Sequence, residues 1–498
     1  MENQSTHKMI KEFSAKFDPS KKNTVIILAA GHGKRIKSRT SKMLHKIWEV
    51  PTVERVYNAC SEGLSDVNTV IVVGIKAEDV VRTIGKRNST IFAYQEVQNG
   101  TGHAVQVALE SLGTDNYDGN VFILPGDMGL LDESTISGFR KDFEESKSDM
   151  MVLTGLYEGY AQENYYGRII RVKETDINGN PSGKDFGKVI EIKENNDIHA
   201  LNEDEEYKLE YNGRTYLFTK NELININEFN SGVFAFKFKP LFEQINKIDS
   251  NNVQGEIYVT DLISIFNSAG LSVNAASPQK QYVIMGFNDK TVLKEMNSIY
   301  RKLIYEKIKN IVEVEDPDDF YLHENVVKQI IKMDNEGTPL DIMIGKGSYI
   351  GGDVDINYNL EIGRNVKLTG SVKFGKNIVV MDGVNMSTFE GQKIVVGNGT
   401  QIYPGNFIKG NVELGENVKV ETRVFLTGST NDPLKIGNNV VLKGNSYIFG
   451  SEIGNYVLIE HSVVKRKKIV SGKSFENPVV VRYVFPEAEG SENLKILD

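Results

Sequence analysis

From Ile344 onward an apolar side chain returns at every sixth position: Ile344, Ile350, Ile356, Ile362, Leu368, Phe374, Val380 and Met386. After an offset the register resumes at Val396, Ile402, Ile408, Leu414, Val420 and Leu426, and once more at Ile436, Leu442 and Ile448. Glycine follows many of these residues, as at Gly345, Gly351, Gly363, Gly375, Gly397, Gly415 and Gly437. Chance does not sustain such a register, and a hexapeptide repeat specifies a parallel β-helix. Three short strands make one coil, and each sixth residue points into a triangular prism. Repeats of the form I-G-x-x-x-x point to the left-handed form, spanning residues 341–475. The two phase breaks, residues 387–395 and 427–435, are expected to be loops that leave the prism.

The N-terminal half carries a different signal. The apolar run Val25, Ile26, Ile27 leads directly into L-A-A-G-H-G-K-R at residues 28–35, and Lys42 follows seven residues later. Gly31 and Gly33 let backbone N–H groups approach an anion without a Cβ in the way, while Arg35 and Lys42 supply fixed positive charge. A nucleoside triphosphate meets that demand. The spacing is neither a Walker A loop, which ends in G-K-[ST], nor G-x-G-x-x-G, whose third glycine position is Ile36 here. Taken alone, it equally describes a tight turn from strand to helix.

Further polar clusters stand at the ends of apolar runs, where open α/β sheets bind ligands. Q-E-V-Q-N-G-T-G-H at residues 95–103 follows a strand-like stretch, residues 90–94. Gln95 offers a donor and an acceptor suited to a base edge, and the turn at Gly100 and Thr101 lets backbone groups reach the same base. Pro125-Gly126-Asp127 follows Val121, Phe122, Ile123 and Leu124. A carboxylate there is either a helix N-cap or an Mg²⁺ ligand.

Taken in order, several motifs resemble the uridyltransferase half of bacterial UDP-N-acetylglucosamine pyrophosphorylases, bifunctional enzymes that also acetylate glucosamine 1-phosphate. They are L-A-A-G-x-G-x-R, K-x-L-H at residues 42–45, Q-x-x-Q-x-G-T-G-H-A at 95–104, Y-G-R-I at 166–169, Glu194 in E-I-K-E-N-N-D, E-F-N-S-G at 228–232, Q-G-E-I-Y-V-T-D at 254–261 and G-F-N at 286–288. The likeness covers residues 24 to 325, ending in E-D-P-D-D-F-Y-L at 315–322. It implies an α/β fold: a Rossmann-like, GT-A-like nucleotidyltransferase domain followed by the left-handed parallel β-helix.

Position by position, the resemblance implies a nucleotide loop of Leu28, Ala30, Gly31 and Gly33, with Arg35 and Lys42 as the catalytic cations on the triphosphate. Gln95, Gly100 and Thr101 would read uracil, Gly167, Glu194 and Asn230 would line a sugar pocket, and Asp127 with Asn288 would hold Mg²⁺. Each has a plain structural alternative: Gly167 a turn, Glu194 a solvated face, Asn230 an Asx turn, Asn288 a helix cap. The substrates implied are UTP and N-acetylglucosamine 1-phosphate. Another hexose 1-phosphate, such as glucose 1-phosphate, or a noncatalytic sugar-nucleotide-binding subunit, are the alternatives.

Two departures from the family pattern stand out. The expected Y-G-D-x-P-L reads P-G-D-M-G-L at residues 125–130, and residues 198–226 form a longer segment rich in Tyr and charge, expected to be a hairpin rather than a lid. In the prism the likeness fails: neither G-H-x-x-Y-x-G-D nor N-Y-D-G occurs, and His461 is the one histidine of the repeats. Acetyl transfer is therefore expected to be absent, leaving the prism as an oligomerisation module or a degenerate acyltransferase, with a homotrimer as the analogy.

The remaining readings concern the whole chain. At 498 residues it is expected to divide into an N-terminal extension (1–22), the nucleotidyltransferase domain (23–290), a helical linker (291–340), the β-helix and a tail (476–498). Met9, Ile10, Phe13 and Phe17 share one helical face of the extension. A net charge of −9 argues against nucleic acid as a partner. The single cysteine, Cys60, excludes an intramolecular disulfide. No apolar run suits a signal peptide or a membrane span, so a cytoplasmic setting is expected.

Overall fold

A computed structural model describes residues 2–31, 33, 36–203 and 206–486. The chain divides into two compact units at Met296/Asn297.

The first unit begins with α1 (Glu2–Phe13) and β1 (Asn23–Ala29), then the short pair β2 (Lys46–Ile47) and β3 (Val50–Pro51). There follow α2 (Thr52–Leu64), β4 (Val67–Val73), α3 (Ala77–Ile84), β5 (Thr90–Tyr94), α4 (Thr101–Ser111), β6 (Asn120–Pro125), α5 (Glu133–Ser146) and β7 (Met150–Leu156). Next come β8 (Arg168–Arg171), β9 (Val189–Lys193), α6 (Asn195–Ala200), β10 (Glu206–Tyr211), β11 (Arg214–Thr219), α7 (Lys220–Ile224), β12 (Glu228–Lys237), α8 (Phe238–Gln244), α9 (Leu262–Ser268) and β13 (Val273–Ala276).

Seven strands form one twisted sheet in the order β13-β7-β12-β6-β1-β4-β5, with β8 and β9 attached beside β12. β5, β4, β1 and β6 run parallel, and β12 is antiparallel to both β6 and β7. The apolar run in β1 is continuous because both faces are covered. Val25 and Ile27 point into the core under α2 and α5, while Ile26 points into the opposite core under α4. All three are fully buried. Four parallel strands thus end on one edge, which gathers the residues after β1, β5 and β6.

The extension packs against the first of these cores through Met9, Ile10 and Phe13 of α1. Phe17 lies beyond the helix and joins the other core, its ring edge-on to Tyr117 at 5.2 Å. Residues 198–226 form the β10–β11 hairpin flanked by α6 and α7, with a small core of its own around Ile198, Tyr216 and Leu223. Cys60 is fully buried on α2, and burial pushes its thiol far above the usual range.

In the second unit, three parallel sheets of nine, eight and seven strands wrap into a left-handed β-helix. Strands stack eighteen residues apart, Ile342 on Leu360 and Leu360 on Ile378. Coils at the two phase breaks pair Val380 with Ile402 and Leu414 with Ile436, four residues more than the repeat, and the surplus leaves the prism as loops. Several three-residue strands bury two residues, not one: Leu360 with Ile362, Val372 with Phe374, Ile378 with Val380.

Two boundaries differ from those drawn on the sequence. Residues 313–314 and 321–322, assigned to the linker, pair with 343–344 and 349–350 and make the first coil. Residues 479–482, assigned to the tail, pair with 457–460. The period hides both, because these strands lack the glycine-flanked repeat. Linker residues also form α10 (Lys290–Ile308) and α11 (Glu324–Asp334). Gln329 of α11 bonds the backbone of Val354 and Ile356, so Ile356 is half-buried and Val354 takes the inward place.

Candidate active site

The edge where β1, β5 and β6 end opens into a cleft of about 930 Å³. On one wall, the chain leaving β1 turns through Ala30, Gly31 and Gly33. Gly33 adopts φ +62°, and a Cβ there would sit 2.8 Å from Lys42 Cβ, so this turn requires glycine. β6 is tied in by Gly126 N–H donating to Leu28 O at 3.0 Å, which sets Asp127 at the mouth with 7 % exposure.

Lys42 joins what the sequence keeps far apart. Its Nζ lies 2.6 Å from Asp127 Oδ2 and 3.1 Å from Asn288 Oδ1, above the Phe287 ring. The capping alternatives fall away here. Asp132, not Asp127, accepts from Thr135 N–H at the start of α5, and Asp289, not Asn288, accepts from Thr291 N–H. Asp127 and Asn288 therefore direct two hard oxygens at one cation position, a donor set that fits Mg²⁺ completed by phosphate and water. Arg35 lies outside the described residues.

A second wall is built on Gln95, only 3 % exposed. Its Nε2 donates to Gly100 O at 3.1 Å and lies 3.1 Å from His103 Nδ1. Gly100 takes φ +102°, and any Cβ there would sit 2.5 Å from Ile257 O. The Thr101 hydroxyl accepts from Val259 N–H at 3.1 Å. The backbone of the same residue opens α4 on the cleft wall.

Gly167, Glu194 and Asn230 meet where β8, β9 and β12 adjoin. Asn230 N–H donates to Gly167 O at 2.8 Å, and a Cβ on Gly167 would lie 3.1 Å from Glu194 Oε1. Asn230 does make an Asx turn, its Oδ1 accepting from Gly232 N–H at 2.8 Å, while also lining the cleft. Burial, reinforced by Asp197 and Asp261, pushes the Glu194 carboxyl up to about 7. The buried Arg168 donates to the carbonyls of Tyr166, Ala161 and Asn164, bracing the loop that precedes Gly167.

Of the residues expected in the site, Leu28, Ala30, Gly31, Gly33, Lys42, Gln95, Gly100, Thr101, Asp127, Glu194, Asn230 and Asn288 all line this one cleft. Gly167 stands behind Glu194. The departures from the family pattern have steric partners: a Cβ on Gly232 would lie 2.9 Å from Pro125 Cγ, and one on Gly129 would lie 2.7 Å from Ile47 Cδ1.

Sequence reasoning missed a whole wall. Gln254, Glu256, Val259 and Thr260 line the cleft, and Thr260 Oγ1 donates to Glu194 Oε1 at 3.4 Å. Their motif was visible, but a threonine, a glutamine and backbone groups carry no chemistry that singles them out before the fold brings them to Gly100 and Glu194.

Residues 25–166 match the MobA-like NTP transferase domain. The chain is 31 % identical to the bifunctional protein GlmU of Acetivibrio thermocellus, over 90 % of this chain and 86 % of that protein. It is also 31 % identical to the bifunctional protein GlmU of Clostridium tetani, over 87 % and 81 %. Among solved structures, UDP-glucose pyrophosphorylase complexed with UDP-glucose aligns with 56 % of this chain and 99 % of its own, at TM-score 0.38 and 14 % identity. With relatives that match along both halves, the chain belongs to the GlmU family and is a sugar-1-phosphate nucleotidyltransferase.

Proposed function

We propose that the chain transfers the uridyl group of UTP to N-acetylglucosamine 1-phosphate, releasing pyrophosphate, in the cytoplasm. One observation carries this reading: the Lys42–Asp127–Asn288 cluster and the Glu194–Asn230 corner line a single cleft with Gln95.

Charge decides the mechanism. The second pKa of a phosphate monoester is near 6, so the sugar phosphate is mostly a dianion at neutral pH and attacks the α-phosphorus without a general base. The new P–O bond forms as the bond to pyrophosphate breaks, and the leaving electrons stay on pyrophosphate. Glu194 and Asn230 orient the sugar through its hydroxyls and N-acetyl group, and Gln95 holds the base. Lys42, with Arg35, neutralises charge building on the leaving group. Asp127 and Asn288 would hold Mg²⁺, which would supply positive charge to offset repulsion between the phosphates.

The prism, in this reading, transfers no acetyl group. Its repeats lack both acetyl-transfer motifs, and His461 is stacked on Tyr483, ring centres 5.7 Å apart, in the last coil. Its role is assembly. The exposed rings of Phe407 and Phe425 stack 5.5 Å apart on one face and are suited to being covered by a second copy.

Pyrophosphate release from UTP and Mg²⁺ tests the reading, run with N-acetylglucosamine 1-phosphate, glucose 1-phosphate and an Asp127→Ala control. Release confined to the N-acetylated sugar and lost in the variant supports it. Release with glucose 1-phosphate reassigns the sugar, and no release with either leaves a nucleotide-binding subunit. Acetyl-coenzyme A with glucosamine 1-phosphate is expected to yield no free thiol.

A further inference from the structure

We infer that His103 is a positioning residue for nucleotide choice: its imidazole fixes the side-chain amide of Gln95 so that the cleft meets only an acceptor at that point. The inference rests on the reading that Gln95 faces the base.

Every polar group of Gln95 but one is engaged. Its N–H donates to Val73 O at 2.8 Å, and its carbonyl accepts from Gln98 Nε2 at 3.2 Å. Its side-chain nitrogen is 3.1 Å from Gly100 O and 3.1 Å from His103 Nδ1. A backbone carbonyl can only accept, so the group facing Gly100 is the NH₂ and the amide orientation is forced. Both amide protons then have fixed destinations, Gly100 O and His103 Nδ1. The latter must accept, which puts the imidazole proton on Nε2. Among the described residues only Oε1 is left without a hydrogen bond, on a residue that lines the cleft.

An unrotatable acceptor discriminates between pyrimidines. Uracil presents N3–H, a donor, beside the O4 acceptor; cytosine presents N3 as an acceptor beside an amino donor. Against Gln95 Oε1, uracil forms a hydrogen bond and cytosine sets two lone pairs face to face. Without His103 the amide loses one of its two anchors. It can then rotate its NH₂ toward the base, with Gly100 O alone opposing. His103 sits in the first turn of α4, so the same helix that carries Thr101 on the cleft wall also sets the amide.

The experiment measures dissociation constants of UTP and CTP, each with Mg²⁺, by calorimetry on the full chain. It compares the wild type with His103→Phe, which keeps the ring and loses the acceptor, and His103→Asn, whose Oδ1 can replace Nδ1. The expected result is a UTP preference that falls about tenfold in the Phe variant, the worth of one fixed hydrogen bond, and persists in the Asn variant. If the Phe variant fails to fold, judged by circular dichroism, His103→Leu takes its place. A wild-type preference retained without the acceptor overturns the inference, and so does equal weakening of both nucleotides in both variants. Binding reads His103 whether or not any sugar turns over, whereas pyrophosphate release reads the proposed reaction; the two ideas fail separately.

Discussion

A single ammonium, that of Lys42, meets two oxygens contributed by residues far apart in the first unit, Asp127 and Asn288. Removing a charge preorganised against a leaving group costs roughly 3–4 kcal/mol, so Lys42→Ala should lower kcat on the order of a hundredfold or more in initial-rate assays. Glu194 gives a pH signature. Its carboxyl is raised from an ordinary 4.5 to about 7, so the unfolded chain ionises first. The stability it lends is whole below pH 4.5 and is lost as pH rises through 7, and a Glu194→Gln series of denaturation midpoints should lack that decline. As an acceptor for sugar hydroxyls it also predicts that KM for the sugar phosphate falls as pH rises through about 7, a trend flattened in the same variant. Gly100→Ala forces a Cβ to within 2.5 Å of Ile257 O at φ +102°. A loss of roughly 1–3 kcal/mol from strain, together with weakened UTP binding, is expected by melting and calorimetry. At this scale the sequence was most legible in which residues share the cleft, Lys42 and Asp127 among them, though it left Asp127 open between a cap and a metal ligand. It was silent on Thr260 and His103, which act through neighbours.

The elements tell a second story, about which segments are independent of the cleft. The β10–β11 hairpin rests on its own small core, closed by the α7 capping box of Thr219 and Glu222 and by Tyr207 O–H donating to Glu191 at 2.7 Å. Leu223→Ala removes a fully buried side chain there, at a cost of about 2–5 kcal/mol. Hydrogen exchange should report opening of the hairpin while the UTP dissociation constant stays put. That the segment is a hairpin was readable from its polar, turn-bearing composition; that it has a core was not, because Ile170, Val172 and Ile190 come from strands elsewhere. In the prism, the six-residue period exposed one inward residue per strand. The second, such as Leu360 or Val372, escaped because the strand's own two-residue alternation runs beneath the longer period.

At the scale of the chain, two compact units with separate cores imply two unfolding transitions, which scanning calorimetry can resolve. The proposed assembly has an equally direct check. Phe407→Glu with Phe425→Glu places charge on the stacked rings, and sedimentation should shift toward the monomer while uridyl transfer persists. The prism also makes length a form of rotation. Because neighbours along each face of the first regular coils are eighteen residues apart, losing residues 360–377 removes one full turn and leaves Ile378 in the place Leu360 held. Losing six residues instead turns everything downstream by a third of a revolution, carrying the outward loops and aromatic rings to a different side of the column. Insertions and deletions in this half of the gene are thus filtered by arithmetic: whole turns preserve what each side displays, and fractions of a turn reassign it.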